Sequence, residues 1–387
     1  MKRLLFLTPF LPSNRTAGQN YTLRLLERLT TKVEIDLCLF HYPDEVVPEY
    51  IANARVIRTY RTSALRMLGC AAKLPFLHPV FSCRFRFDLL RFLLRERRRY
   101  DFFYFDFSQT FIYSLFLRNR VGFLMVHDVI SQLFGRRKGL VNKISAAFCN
   151  TTEGFILKRS SAAVLCFSEK DRALISRYSD REATVVDFLI DDRIAGIDYD
   201  TTVIRDQFCF YAAWHRRENT QGLEWFLDRV LPKTDKNIEF VVVGGGLPEG
   251  PVKRIRDLSN VTYLGFVDNP FPVIAQSRAL LAPLFEGAGV KVKVVEALAC
   301  GVPVIGSPVA FEGIEFASGL PVFSCNTTED YVGAIKTVPS YTSSVRKEFK
   351  ARFNSVYPRM TFDKFLSRFD HESNGQEAEA ARLASIP

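Results

Sequence analysis

The stretch Phe285–Ser307 reads FEGAGVKVKVVEALACGVPVIGS. Its middle, GVKVKVV, alternates apolar and charged residues as an edge strand would, whereas VVEALACG has the length and glycine stop of a short helix. The neighbours decide between them. Ala279–Ala282 (ALLA) and Val302–Ile305 (VPVI) read as short buried strands. Parallel neighbours need a crossover between them, usually helical. We therefore expect a helix over Val292–Cys300, with Gly301 as its left-handed stop and Val294, Val295 and Leu298 facing the sheet. Gly287 and Gly289 then form the loop that enters it.

A glycine loop opening into a helix is a ready anion site, because free backbone N–H groups and the positive helix end point at it. Lys291 and Lys293 add charge there, and Glu296, one turn on, can accept from ligand hydroxyls. Phosphates at the helix start and a sugar hydroxyl near a carboxylate describe a nucleoside diphosphate. Spacing alone fits equally an ordinary crossover with solvated lysines, since glycine-rich βα turns are common.

The pattern repeats along the chain. Arg3–Thr8 (RLLFLT) is a continuous apolar run, Tyr21, Leu25, Leu26 and Leu29 recur at helical spacing, and Val33–Phe40 is strand-like. This opens a doubly wound α/β sheet. Strands are expected at Tyr100–Phe107, Gly122–Val126, Ala162–Phe167 and Thr184–Ile190, with Ser168 capping a helix. A second α/β set follows: Phe208–Ala212, a helix over Gly222–Val230, Ile238–Val243, Val261–Leu264 and a helix near Phe271–Ser277. The expected organisation is an acceptor-side domain over 1–190, a polar linker over 191–205 and a nucleotide-sugar domain over 206–345. C-terminal helices over 346–370 pack back on the first domain, and the tail 371–387 frays.

The 387 residues carry a formal charge of +10. Residues 1–190 hold 30 Lys+Arg against 17 Asp+Glu, and residues 191–387 hold 22 against 25. A basic first half implies a polyanionic neighbour on that side only, either nucleic acid or an anionic membrane face. No apolar run approaches the ~20 residues of a membrane span. The start, MKRLLFLTPFLPSNR, reads better as a buried strand than as an export signal. The eight cysteines include no CxxC pair and read as free thiols in a reducing cytoplasm. Residues 84–99 (RFRFDLLRFLLRERRR) form an amphipathic helix with Phe85, Leu89, Phe92 and Leu93 on one face and arginines over the rest. Such a face is usually just solvated; its functional reading is peripheral docking on the anionic inner leaflet.

The segment Pro283–Ile314, PLFEGAGVKVKVVEALACGVPVIGSPVAFEGI, resembles the C-terminal signature of GT-B-fold glycosyltransferases of the group 1/family 4-like set. FYAAWHRRENTQGLEWFLDRVLP (Phe210–Pro232), VVVGGG and NVTYLGFVDN are similar to that group's preceding strand–loop units, so the good match spans about residues 207–315. HD at 127–128 and CFSEKDR at 166–172 are compatible. The resemblance implies two Rossmann-like doubly wound domains facing a central cleft. The implied activity is transfer of a sugar from a nucleotide-diphosphate donor to a glycan or lipid-linked acceptor, retaining and without a metal, as in polysaccharide biosynthesis. It implies no cofactor, the nucleotide sugar being a substrate. Glu296 would hold the ribose, and Lys293 with the Gly287 and Gly289 amides the diphosphate. Arg216 or Arg217 would add a second phosphate contact, Phe266–Val267 would meet the base, Gly18 would face the donor, and His127 would lie near the transferred sugar. Glu286, the family's second glutamate, stands two residues further from Glu296 than is usual there.

The chemistry asks for cations at the departing diphosphate, which Lys293 and an arginine of the 216–217 pair supply. In a retaining reaction the leaving phosphate takes the acceptor proton; an inverting one needs a protein base, for which His127 or Asp128 is placed. A lone histidine is more often a hydrogen-bonded core residue. Asp198-Tyr199-Asp200 resembles a metal-binding DxD but lies in the polar linker rather than after a strand, and no other cluster has metal spacing. The competing readings are a non-catalytic sugar-nucleotide binder and a nucleic-acid-binding protein, the latter without any stacking motif.

Overall fold

The computed structural model describes residues 1–117, 121–136, 139–186, 188–314 and 319–357. The chain divides into two compact units, one ending at Leu189 and the other starting at Ile190.

The first unit is an eight-stranded sheet of β1 (Arg3–Thr8), β2 (Glu34–His41), β3 (Tyr50–Ile51), β4 (Ala54–Arg61), β5 (Phe102–Asp106), β6 (Val121–Val126), β7 (Ala163–Cys166) and β8 (Ala183–Val185). Its order is β3-β4-β2-β1-β5-β6-β7-β8. Every pairing is parallel except β3 with β4. That hairpin turns through Ala52 and Asn53, both at positive φ, as a tight two-residue hairpin requires. β1 and β5 are buried along nearly their whole length, which is why their sequences run apolar without alternation. Ser168 caps the Glu169–Ser179 helix by accepting from the Asp171 N–H.

The second unit is a six-stranded parallel sheet of β9 (Gln207–Tyr211), β10 (Glu239–Val243), β11 (Val261–Gly265), β12 (Ala279–Ala282), β13 (Val304–Gly306) and β14 (Val322–Ser324), ordered β11-β10-β9-β12-β13-β14. This is a doubly wound order that reverses between β9 and β12. In the first unit the reversal lies between β1 and β5. Ligands of such sheets bind at the carboxyl ends of the strands flanking the reversal, so the topology alone directs attention to the loops after β9 and β12, and after β1 and β5.

The opening stretch is a helix, Val292–Ala299, capped by Cys300 and stopped by Gly301 at φ +82. Val294, Val295 and Leu298 are buried, as the crossover argument requires.

Three expectations differ from the structure. Residues 191–205 are not a free linker: Ile194 and Tyr199 are buried in the second unit, and the Tyr199 hydroxyl donates to the Cys300 carbonyl at 2.8 Å. Burying an aromatic ring outweighed the polar composition around it, and Tyr199 is also the centre of the DxD-like triplet. The helix of the arginine-rich stretch starts at Phe87. Arg84 is buried and donates to the Thr62 hydroxyl at 2.7 Å and the Pro9 carbonyl at 3.2 Å. Finally, the Ser343–Val356 helix packs in the second unit. Its Arg346 side chain, fully buried, donates to the carbonyls of Ser277, Arg278 and Gly301 at 2.8, 2.8 and 3.3 Å. The rest of the expected C-terminal helices, and the tail, lie outside the described residues.

Candidate active site

In the second unit the loop after β12 and the helix after β9 meet. Gly287 and Gly289 hold φ of +124 and +65, the left-handed region open mainly to glycine. The Lys291 ammonium donates to the carbonyls of Ala288 and Gly289 at 3.0 and 2.6 Å. It therefore closes the glycine loop on itself. Lys293 points elsewhere: its Nζ donates to Asn219 Oδ1 at 2.7 Å. Asn219 is oriented by its own amide, which donates to the Ala213 carbonyl at 2.9 Å.

Lys293 is only partly shielded from solvent by area but densely surrounded. Desolvation pushes its pKa down to about 7; Glu218 opposes the shift, and Lys291 and Arg216 reinforce it. A cation beside two others, held by a neutral amide oxygen, is a group prepared for an anion. No side chain caps the start of its helix, which leaves the positive end to a ligand. Glu296, one turn on, is buried.

Close backbone approach sets this geometry. A Cβ on Gly222 would lie 1.9 Å from the Pro283 carbonyl oxygen, so glycine is what lets the Arg217–Trp225 helix bring Asn219 to Lys293. The neighbouring loops are stitched at the same sheet edge. The Trp214 indole donates to the Val243 carbonyl, its backbone N–H to Gly245, and the Gly244 N–H to Gly265. Arg216 and Arg217 are exposed at the first turn of the helix, Arg216 3.7 Å from Glu218. Phe266 is exposed beside Gly245, and Val267 is half-buried.

In the first unit the second constellation forms at the carboxyl ends of β5 and β6. His127 Nε2 lies 2.7 Å from Asp106 Oδ1, and Thr22 Oγ1 donates to Asp106 Oδ2 at 2.7 Å. Asp106 is fully buried and His127 nearly so. The imidazole stacks on Phe107, with ring centroids 3.5 Å apart, and meets Tyr21 and Phe167 edge-on. Phe107 itself sits at φ +63, a strained position for an aromatic residue that the surrounding packing must hold. A Cβ on Gly18 would lie 2.8 Å from the Phe107 ring, so the glycine admits the ring that carries the histidine. Gly18 and His127 are thus parts of one cluster, and Asp128 is half-buried next to it.

The family model described as "Glycosyl transferases group 1" matches residues 205–338. The match takes in the β9–β14 sheet and the loops that hold Lys293 and Asn219. Sucrose-phosphate synthase from Thermosynechococcus elongatus is 16% identical over 100% of both chains, with a TM-score of 0.66. Anabaena Alr3699/HepE in complex with UDP-glucose is 14% identical over 95% of this chain and 99% of that one, at 0.64. WaaG, a glycosyltransferase involved in lipopolysaccharide biosynthesis, is 13% identical over 96% and 100%, also at 0.66. No curated protein gives a significant sequence match. The whole chain has the fold of these GT-B glycosyltransferases, and its residues 205–338 carry the group 1 glycosyltransferase match.

Sequence reasoning missed four residues of these two constellations. Asn219 is an uncharged residue on the second helical position after an arginine pair, with no signal except proximity in the fold. Asp106 had one: in FYFDFS it is the sole acid closing an apolar strand, where a buried carboxylate needs a partner. Phe107 and Thr22 were hidden, since they act through a positive φ and a helix face. Among the described residues no group of three or more His, Cys, Asp and Glu is placed to hold a metal ion, and no helix is long and apolar enough to cross a membrane.

Proposed function

We propose that this glycosyltransferase takes its sugar from a nucleoside diphosphate donor and passes it, with retention and without a metal, to a glycan or lipid-linked acceptor, at the inner face of a membrane. The observation that carries the donor reading is Lys293: a desolvated cation at the mouth of an uncapped helix, at the strand-order reversal of a parallel sheet. On this reading Lys293, the Gly287 and Gly289 amides and an arginine of the 216–217 pair receive the diphosphate, Glu296 the ribose and Phe266–Val267 the base. Lys293 counts as catalytic because its charge meets negative charge that develops as the diphosphate departs. Glu296 serves catalysis by holding the donor in register, and Glu286 lies on the loop nearest the sugar. His127, aimed by Asp106, and Gly18 attend the transferred sugar, with Asp128 beside them. In the reaction the bond from the anomeric carbon to the phosphate oxygen breaks and one to the acceptor oxygen forms. The acceptor proton passes to the departing phosphate.

Thermal shifts with UDP, GDP, ADP and their sugars test the donor reading. A diphosphate nucleotide should stabilise the protein, and Lys293→Ala and Glu296→Ala should abolish the shift. No stabilisation by any of them overturns it. Mass spectrometry then identifies the donor turned over, the anomeric proton coupling of the product decides retention, and unchanged turnover in EDTA decides metal independence.

A further inference from the structure

The arginine-rich stretch is a weaker docking surface than its sequence promised. Arg84 is buried, Arg86 is taken up by Asp88, and Arg95 and Arg99 both pair with Glu96. A different face of the same unit has the opposite character. The Ala64–Ala71 helix buries none of its side chains: Leu65 is 82% exposed and Leu68 68%. Phe76 and Phe87 follow, also exposed. On the twenty-residue Leu140–Arg159 helix, Leu140, Ile144 and Phe148 fall on successive turns of one exposed face, with Phe155 two turns further on and Val141 beside Leu140. The opposite face, with Cys149, Ile156 and Leu157, enters the core.

His78 fastens these two stretches together. Its backbone N–H donates to Thr152 Oγ1 at 2.9 Å, its Nε2 lies 3.0 Å from Ser145 Oγ, and its ring meets Phe134 and Phe148 edge-on. The two stretches are therefore adjacent, and exposed apolar side chains gathered in this way mark an interaction surface.

Charge says which. Residues 50–87 contain seven Lys and Arg and no Asp or Glu; residues 129–152 contain four and none. These acid-free stretches carry nearly all of the exposed apolar residues named above. Arg66, Lys73, Lys143 and Arg159 are exposed among them, Lys73 lying over the Phe87 ring and Arg159 over Phe155. Exposed apolar side chains interspersed with cations, on stretches whose sequence holds no Asp or Glu, match the headgroup–acyl boundary of an anionic bilayer. Nucleic acid would call for ring faces, whereas the most exposed of these side chains, Leu65, Leu140 and Val141, are aliphatic.

We propose that the Ala64–Ala71 helix and the outer face of the Leu140–Arg159 helix dock this protein on anionic membranes, the apolar side chains entering the interface and the cations meeting lipid phosphates. This rests on the membrane placement proposed above and not on the donor assignment, so a failed flotation leaves the donor reading standing.

Flotation of the full chain with vesicles of phosphatidylcholine alone, or equimolar with phosphatidylglycerol, tests it. Binding is expected to the anionic vesicles only. Leu65→Ser with Leu68→Ser, and separately Ile144→Ser, change no charge and replace exposed residues, so folding should survive; circular dichroism checks this. Each should weaken binding about tenfold. Arg95→Ala with Arg99→Ala should change it little. Failure of the wild type to float with anionic vesicles, or binding unaffected by the serine variants, overturns the proposal. So does a concentration-dependent dimer that the serine variants dissociate while vesicle binding is absent, because the face would then belong to a second copy.

Discussion

Lys293 makes a quantitative prediction about pH. With its free pKa at about 7, the side chain is half neutral at neutral pH, whereas a diphosphate binds its charged form. At an effective dielectric of ~20, a unit negative charge about 4 Å away contributes about 4 kcal/mol, or about three pH units. The bound-state pKa therefore returns to about 10. Sign follows from linkage: the complex holds a proton that the free protein has lost, so affinity is greatest below pH 7 and declines as pH rises from 7 towards 10. Between pH 7 and 9 the protonated fraction falls from about one half to about one hundredth, a loss of about fiftyfold in affinity. The assay is isothermal titration calorimetry with whichever of UDP, GDP or ADP binds, above pH 7, where a terminal phosphate has passed its second ionisation near pH ~6. At pH 8, buffers of different ionisation enthalpy should reveal uptake of nearly one proton per nucleotide. Lys293→Arg, which keeps its proton throughout, should flatten the profile. A nucleotide that binds with a flat profile in the wild type refutes the reasoning about Lys293 while leaving the donor reading standing. The same slope in Lys293→Arg assigns the proton elsewhere.

Three further outcomes follow from the packing. Gly222→Ala places a Cβ 1.9 Å from the Pro283 carbonyl, so the helix must retreat by about 1 Å. We expect a loss of about 1–3 kcal/mol in urea unfolding and weaker nucleotide binding, because the Asn219–Lys293 contact opens. Glu153 is buried, and desolvation raises its pKa to about 7 against the hydrogen bonds from Tyr178 and Ser108. The folded state then holds a proton the unfolded state has released, so its contribution is complete below pH 4.5 and is lost as pH rises through 7. Glu153→Gln should therefore be more stable than wild type at pH 8, by up to about 3 kcal/mol, and nearly equal at pH 4.5, read as melting midpoints. Asp106→Asn removes the carboxylate that His127 and Thr22 share. Turnover should fall by about tenfold or more with the melting temperature little changed, and a histidine ¹⁵N spectrum should show the ring tautomer altered.

The parts of this molecule legible in the sequence were those governed by periodicity and covalent geometry. RLLFLT and ALLA are strands because parallel strands are buried on both sides, and Val292–Ala299 is a helix because two parallel strands flank it. Lys293 and the glycine loop could be singled out because a glycine turn with lysines at a helix start has local chemistry. Asn219, Asp106 and Phe107 were not, since each acquires its role only when a second, distant segment arrives: Lys293 for Asn219, His127 for Asp106, Gly18 for Phe107. The linker misread has the same cause. Tyr199 looks like a polar-segment residue until the Cys300 carbonyl is supplied by a helix a hundred residues away.

Arg346 has a consequence for anyone wishing to move the second unit between proteins of this fold. Its guanidinium serves carbonyls that precede β12 and follow the Val292–Ala299 helix, so a chimera cut before the Ser343–Val356 helix would strand three buried acceptors at about 1–3 kcal/mol apiece. A cut after residue 205 would likewise discard Ile194 and Tyr199. The exchangeable cassette therefore begins near residue 190 and runs at least through residue 357. Grafts that respect those two seams should remain soluble where shorter ones precipitate.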